Sequence, residues 1–329
     1  MQFACYRSAH EHRFAAVVGN HMLDLALGHA IAQRSGARLP LGYLPHDPIE
    51  FLRLGDAALE CARELIHLAS TIDVSGALVP IEQAQLAAPI PRPSSLRDGY
   101  AFRQHVEAAR RNRGLPMIPE FDEIPIFYFS NHHAVTGPGD VHVQERHCEQ
   151  LDFELECAIV IGKEGRNIPA DHADEYIAGY MVMNDWSARA LQMHEMKLNL
   201  GPAKGKDFAT SLGPFLVTRD ELRQHAIPSP HGERYNLSMV ARINGQEVSR
   251  GNLADMHWTF AQIIERASYG VTVYPGDVIG SGTCGTGCLL ELNGSKVFDP
   301  PRWLQPGDIV ECEIERLGVL RNRIVLDRS

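Results

Sequence analysis

Asp152-Phe153-Glu154-Leu155-Glu156-Cys157-Ala158-Ile159-Val160-Ile161-Gly162 alternates charge and bulk for six residues and then turns apolar. Successive side chains of a β-strand point to opposite faces. The run therefore predicts a strand with Asp152, Glu154 and Glu156 on one face and Phe153, Leu155 and Cys157 on the other. The apolar continuation predicts burial, and carboxylates leading into a buried strand need compensation. For a lone Glu-x-Glu, a solvated face is the ordinary reading. The sharper one is a divalent cation held by Glu154 and Glu156, and hard oxygen ligands select Mg²⁺, Mn²⁺ or Ca²⁺ over zinc.

Outward from this run the chain keeps a β texture. EYIAGYMVMNDW, LSMVARING, VTVYPGDVIGSGT, CLLELNG and DIVECEIERLG all read as strands. The phrase Pro-Gly-Asp occurs at 275–277 and 306–308, each time as a turn that launches a strand. Helices are expected over 98–112, 186–199 and 255–268. On the N-terminal side, RFAAVVGN and HMLDL read as two strands joined at Gly19-Asn20, followed by helices over 25–35 and 56–70. PIPRPSS (89–95) places three Pro in seven residues, a stiff linker. The division expected is a small N-terminal domain, 1–90, and a catalytic domain, 91–329. The fold class is α+β, mainly β with a few helices, with the larger domain rolled or barrel-like. No G-x-G-x-x-G is read as opening a helix after a strand and no GxxxxGK[ST] is present, so the chain shows neither a dinucleotide fingerprint nor a phosphate loop.

The 329 residues carry 31 Lys plus Arg against 41 Asp plus Glu, a net charge of −10 without basic runs, which argues against a nucleic-acid partner. A local cation or Arg can still draw an anionic substrate. No apolar run approaches the roughly 18–20 residues of a membrane span, and MQFACYRSAHEHRF lacks the pattern of a secretory leader. Seven scattered Cys form no disulfide framework and suit a reducing cytoplasm. Cys284 and Cys288, four apart, read as packing or loop thiols rather than zinc ligands.

Four further segments carry candidate chemistry. In MVMNDWSARALQ a strand ends at Asp185, and Arg189 and Gln192 share a helix face that could clamp a carboxylate or a polarised carbonyl. In RDGYAFRQH, Asp98 and His105 are seven apart; on one helix they would face the same way, about 10 Å apart along the axis. In GPAKGKDF the Gly and Pro turns can present a Lys to a site. The glycine-rich loop IGSGTCGTG precedes Glu291, expected in an apolar strand where its carboxylate needs a partner such as His.

RDGYAFRQH, DFELE, MNDWSARALQ, GPAKGKDF, SGT and LLEL, in this order over 97–292, resemble the fumarylacetoacetate hydrolase superfamily. The resemblance implies a fumarylacetoacetase-like β-roll and a divalent cation, Mg²⁺ first, held by Glu154, Glu156, Asp185 and Asp98. It implies His105 as general base oriented by Glu291, and Arg189, Gln192 and Lys206 as holders of substrate and oxyanion. Tyr100, Thr283 and Tyr128 would donate hydrogen bonds to substrate. The activity implied is carbon–carbon hydrolysis of a fumarylacetoacetate-like 1,3-diketo acid in aromatic catabolism. Isomerisation, decarboxylation or hydration of a related 2-oxo or 2-hydroxydienoic acid, as by a hydroxyheptadienedioate isomerase, is the alternative. A small dicarboxylic or diketo acid substrate and a homodimer are implied as well. One departure stands out: Ala108 occupies the position of the Glu in the family's His-x-x-Glu pattern, with Glu107 one residue early, which favours Asp98–His105–Glu291 over the acylpyruvase arrangement.

Overall fold

The computed structural model describes residues 1–9 and 11–328. Among them, a 12-stranded sheet has ten strands in an open path from Leu78–Pro80 through His21–Asp24, Glu11–Val18, Gln2–Ser8, Thr210–Val217, Ile177–Asp185, Leu155–Ile161, Val278–Gly280 and Leu96–Gly99 to Phe127–Phe129, with Leu86–Ala87 pairing to Gln2–Ser8 and Val135–Thr136 to Thr210–Val217 off this path. A five-stranded sheet orders Gln246–Asn252, Ser238–Ile243, Ile309–Ile314, Gly318–Leu326 and Gly139–Val143. Strands and helices mix as expected of an α+β chain, but the sheets remain open and no barrel closes. The N-terminal strands enter the large sheet directly, because Gln2–Phe3 pair with Leu216–Val217. Among the described residues no helix is long and apolar enough to cross a membrane.

The strand Leu155–Ile161 is buried throughout, and its alternation feeds two cores. Leu155, Cys157, Ile159 and Ile161 pack with Ala241, Ile243 and Cys312 of the second sheet. Ala158 and Val160 pack with Leu25, Ala58, Ala62 and Leu65 of the N-terminal helices Leu25–Arg34 and Asp56–Leu68. Each buried aliphatic side chain contributes about 1.5–3 kcal/mol. A one-residue slip would exchange the two faces, so packing pins the register. Glu156 lies on the face of Ala158 and Val160, Asp185 on that of Met181 and Met183, and Asp98 on that of Leu96. Three carboxylates thus ride at the end of one face of four neighbouring strands, registered as Glu156↔Met183, Ala158↔Gly280 and Gly280↔Asp98.

Several local expectations are corrected. Leu96–Gly99 is a strand, parallel to Val278–Gly280, and the helix begins only at Arg103, so Asp98 and His105 do not share a helix. Sheet pairing on both sides overrides the helical spacing. Leu289–Gly294 is a short helix, not a strand; an apolar run of that length carries no decisive periodicity. The helices expected over 186–199 and 255–268 shorten to Arg189–Glu195 and Phe260–Ser268. The second starts at a Thr259–Gln262 capping box. Asp152 leaves the face of Glu156, because the strand breaks between Leu151–Asp152 and Leu155–Ile161. Both Pro-Gly-Asp turns launch strands as expected, with Gly276 and Gly307 at φ of +90° and +97°.

Gly280 fits where a side chain cannot. A Cβ there would lie 2.4 Å from Asp98 Oδ1 and 2.8 Å from Met183 Sδ. Gly280→Ala is expected to cost about 1–3 kcal/mol, the usual penalty of overpacking, measured as unfolding free energy in urea. A wild-type value would show that this face has room to spare.

Candidate functional site

Carboxylate oxygens of Asp98, Glu154, Glu156 and Asp185 lie within 4.8 Å of one another, all buried. The sheet delivers Asp98, Glu156 and Asp185, and Glu154 comes from the break preceding its strand, where Asn184 Oδ1 accepts from its backbone N–H at 2.9 Å. The loop after Val278–Gly280 turns the Gly282 N–H toward both Asp98 Oδ1 and Glu156 Oε2, 3.1 Å each. Thr283 Oγ1 is 3.4 Å from Glu156 Oε1. Tyr128, from Phe127–Phe129, donates to Asp185.

Two cations face this cluster. Lys206, presented by a turn whose N–H groups return to Ala203 O, donates to Asp185 at 2.7 Å and also to Glu154. Arg189 donates through Nε to Asp152 at 2.8 Å, through Nη2 to Glu154 at 2.7 Å and through Nη1 to Gln192 at 3.1 Å. All three of its nitrogens therefore already meet protein acceptors, and Gln192 accepts from Arg189. Asp152, also buried, accepts from the Leu289 and Leu290 N–H groups at 2.6 and 3.0 Å. It thereby ties Arg189 to the helix bearing Glu291.

That helix meets Arg103–Arg111, where the His105 Nδ1–H donates to Glu291 Oε2 at 2.8 Å. The Tyr100 ring stands edge-on to the imidazole, centroids 5.9 Å apart. Each site residue picked from the sequence thus falls in one connected region. Sequence reasoning missed Asn184, Asp152 as a connector, and Cys288, whose sulfur lies within 4.8 Å of ligand atoms of His105 and Glu291. A buried amide in an apolar strand was the available signal for Asn184. For Cys288 it was only the three-residue spacing to Glu291.

The electrostatics show what the cluster lacks. Burial, then the neighbouring Asp185 charge, pushes the Asp98 carboxyl from its ordinary 3.8 up to about 7. Burial and the adjacent Asp98 hold Glu156 far above the carboxylate range, and burial also raises Asp185. Burial alone would raise Glu154, but Arg189 and Lys206 outweigh it and hold that carboxyl low. Burial opposes charge on Lys206 too, and Asp185 and Glu154 reverse the balance, so it stays an ammonium. Tyr128 is driven well up by burial and by Asp185. Four buried carboxylates with Lys206 and a shared Arg189 leave an uncompensated deficit of positive charge. An all-oxygen donor set fits a hard divalent cation, so the residues present can hold one.

Residues 94–325 match the family model "Fumarylacetoacetate (FAA) hydrolase C-terminal", and the chain belongs to that family. Oxaloacetate tautomerase Fahd2a, mitochondrial, of Rattus norvegicus is 35% identical over 86% of this chain and 80% of its own length. Oxaloacetate tautomerase YisK of Bacillus subtilis (strain 168) is 31% identical over 85% and 87%. A crystal structure described as a probable 2-hydroxyhepta-2,4-diene-1,7-dioate isomerase, from Mycobacterium abscessus, superposes over 100% of both chains at a TM-score of 0.67 and 25% identity.

Folding raises the Asp98 pKa, so the cation-free folded protein keeps a proton that the unfolded chain has released. Its stability therefore falls as pH climbs between 3.8 and about 7. A divalent cation held by these carboxylates would replace that proton and remove the fall. The gap in Tm between Mg²⁺-loaded and EDTA-treated protein should widen across this window, and a gap of constant size would contradict the assignment of these carboxylates.

Proposed function

We propose that this chain is a divalent-cation-dependent tautomerase or isomerase of a small 2-oxo dicarboxylic acid of the oxaloacetate type. The observation that carries the reading is the buried His105–Glu291 pair beside the four-carboxylate cluster, because Glu291 occupies Nδ1–H and so leaves Nε2 as the basic nitrogen. The tautomerase relatives support the choice of reaction.

Asp98, Glu154, Glu156 and Asp185 would hold the cation, Mg²⁺ first and Mn²⁺ or Ca²⁺ as substitutes. When bound, that cation supplies Lewis-acid polarisation of the 2-oxo group and a positive charge for the adjacent carboxylate. His105 Nε2 takes the proton from the carbon next to the carbonyl and returns it to the other end of the enol system. Glu291 fixes the imidazole tautomer and stabilises the imidazolium formed. Lys206, held as an ammonium by Glu154 and Asp185, donates toward the oxygen where negative charge develops. Tyr100 and Thr283 flank the substrate, and Tyr128 acts through Asp185. Arg189 and Gln192, expected to clamp the substrate, are read here as positioning residues, because each nitrogen of Arg189 already donates to Asp152, Glu154 or Gln192.

Carbon–carbon hydrolysis of a 1,3-diketo acid is the second reading. The same Nε2 would then draw the proton from water. Mixing stabilised enol-oxaloacetate with Mg²⁺-loaded enzyme should accelerate its conversion to the keto form, while a fumarylacetoacetate-like acid should not be cleaved. Cleavage without tautomerisation would reverse the order. His105→Ala should lower kcat per folded molecule by about 10²–10⁴ with little change in KM, and it should also lower Tm, because Glu291 is left buried without its partner. Near wild-type turnover per folded molecule would remove His105 from the mechanism.

The homodimer implied by the family resemblance and the cytoplasmic setting suggested by the scattered cysteines are also proposals. Light scattering is expected to give twice the 36.5 kDa of one chain, and a monomer mass at micromolar concentration would contradict the dimer.

A further inference from the structure

Cys288 is a free, fully buried thiol outside the proposed reaction. It caps the N-terminus of the helix Leu289–Gly294, and Glu291 lies three residues on, so both side chains issue from one turn. The helix Arg103–Arg111 brings His105 against them. Sulfur, imidazole nitrogen and carboxylate oxygen then lie within 4.8 Å of one another in a buried enclosure.

We infer that Cys288, His105 and Glu291 form a second cation site, selective for soft ions of the zinc type, and that its occupation switches the enzyme off. Zinc takes sulfur at about 2.3 Å and nitrogen or oxygen at about 2.0–2.2 Å. In a tetrahedral site the ligand atoms are therefore about 3–4 Å apart, a closure that side-chain rotation can supply. A mixed sulfur, nitrogen and oxygen set selects zinc-type ions over Mg²⁺, whereas the neighbouring all-oxygen cluster selects the reverse. The two sites would sort cations by softness. Without a cation, burial keeps the Cys288 thiol protonated. Binding displaces that proton to solvent, shifts the His105 proton from Nδ1 to Nε2, and engages the thiolate, Nδ1 of His105 and Glu291. The fourth position is left to water. The His105–Glu291 hydrogen bond is lost, and with it the free base. The inhibition rests on the proposed role of His105, but the binding does not.

Cobalt is the probe, because a thiolate-to-cobalt charge-transfer band in the near ultraviolet reports sulfur ligation independently of turnover. Added to Mg²⁺-saturated enzyme, Co²⁺ should raise this band to one equivalent. Cys288→Ala and Cys288→Ser should abolish it while keeping the Mg²⁺-supported activity. Glu156→Gln, which alters only the carboxylate cluster, should keep it. Zn²⁺ should inhibit the wild type, and in Cys288→Ala the half-inhibiting concentration should rise by about tenfold or more. Wild-type protein without the band at saturating Co²⁺ would overturn the site, and so would a band that survives Cys288→Ala. Equal zinc inhibition of wild type and Cys288→Ala, with the band present only in the former, would overturn the switch and leave the binding site. That last result also separates the site from the tautomerase reading, which the cobalt spectrum does not touch.

Discussion

Four carboxylates, from Asp98, Glu154, Glu156 and Asp185, converge in a place that water scarcely reaches. Buried like charges cannot all ionise unaided. Everything around them can be understood as a partial remedy. Lys206 is placed between Glu154 and Asp185, Arg189 braces Glu154 from the other side, and the Gly282 N–H bridges Asp98 and Glu156. Even so, Asp98 and Glu156 are driven toward their neutral forms. The fold tolerates that arrangement because the same strands bury aliphatic faces on both sides, so the stability of two cores fixes the positions of the acids.

The remedy also links parts of the proposed chemistry that are distant in sequence. Asp152 holds the Leu289 and Leu290 N–H groups and Arg189, and Arg189 holds Glu154. The helix that carries Glu291, and through it His105, is thus tied to the carboxylate cluster by buried charge-assisted hydrogen bonds. Such bonds are strong and directional, and breaking a buried pair on one side leaves an unpaired charge. The His105–Glu291 pair and the carboxylate cluster are therefore held in a common frame rather than on independent loops.

Much of this was legible in the chain. The alternation in Asp152–Cys157 and the apolar run after it announced a buried strand bearing acids, and the Pro-Gly-Asp turns announced the strands they launch. The family resemblance named residues that the fold gathers into one region. What escaped was decided by long-range pairing. Leu96–Gly99 looks helical by spacing but lies between Val278–Gly280 and Phe127–Phe129, and LLEL is too short to declare itself a helix. Closure of the sheet into a barrel depends on which edges meet, and local pattern does not encode that. Asp152 reads as one of three equivalent acids until a break in the strand turns it toward Arg189. The proximity of Cys288 to His105 is hidden in the same way, because another helix supplies the histidine.

The most direct test of the central claim is anomalous diffraction from crystals soaked in Mn²⁺. A single peak within bonding distance of carboxylates from Asp98, Glu154, Glu156 and Asp185 is the expected result, with Lys206 and Arg189 still engaged at the rim. Full-occupancy Mn²⁺ elsewhere, with those four side chains unligated, would contradict it.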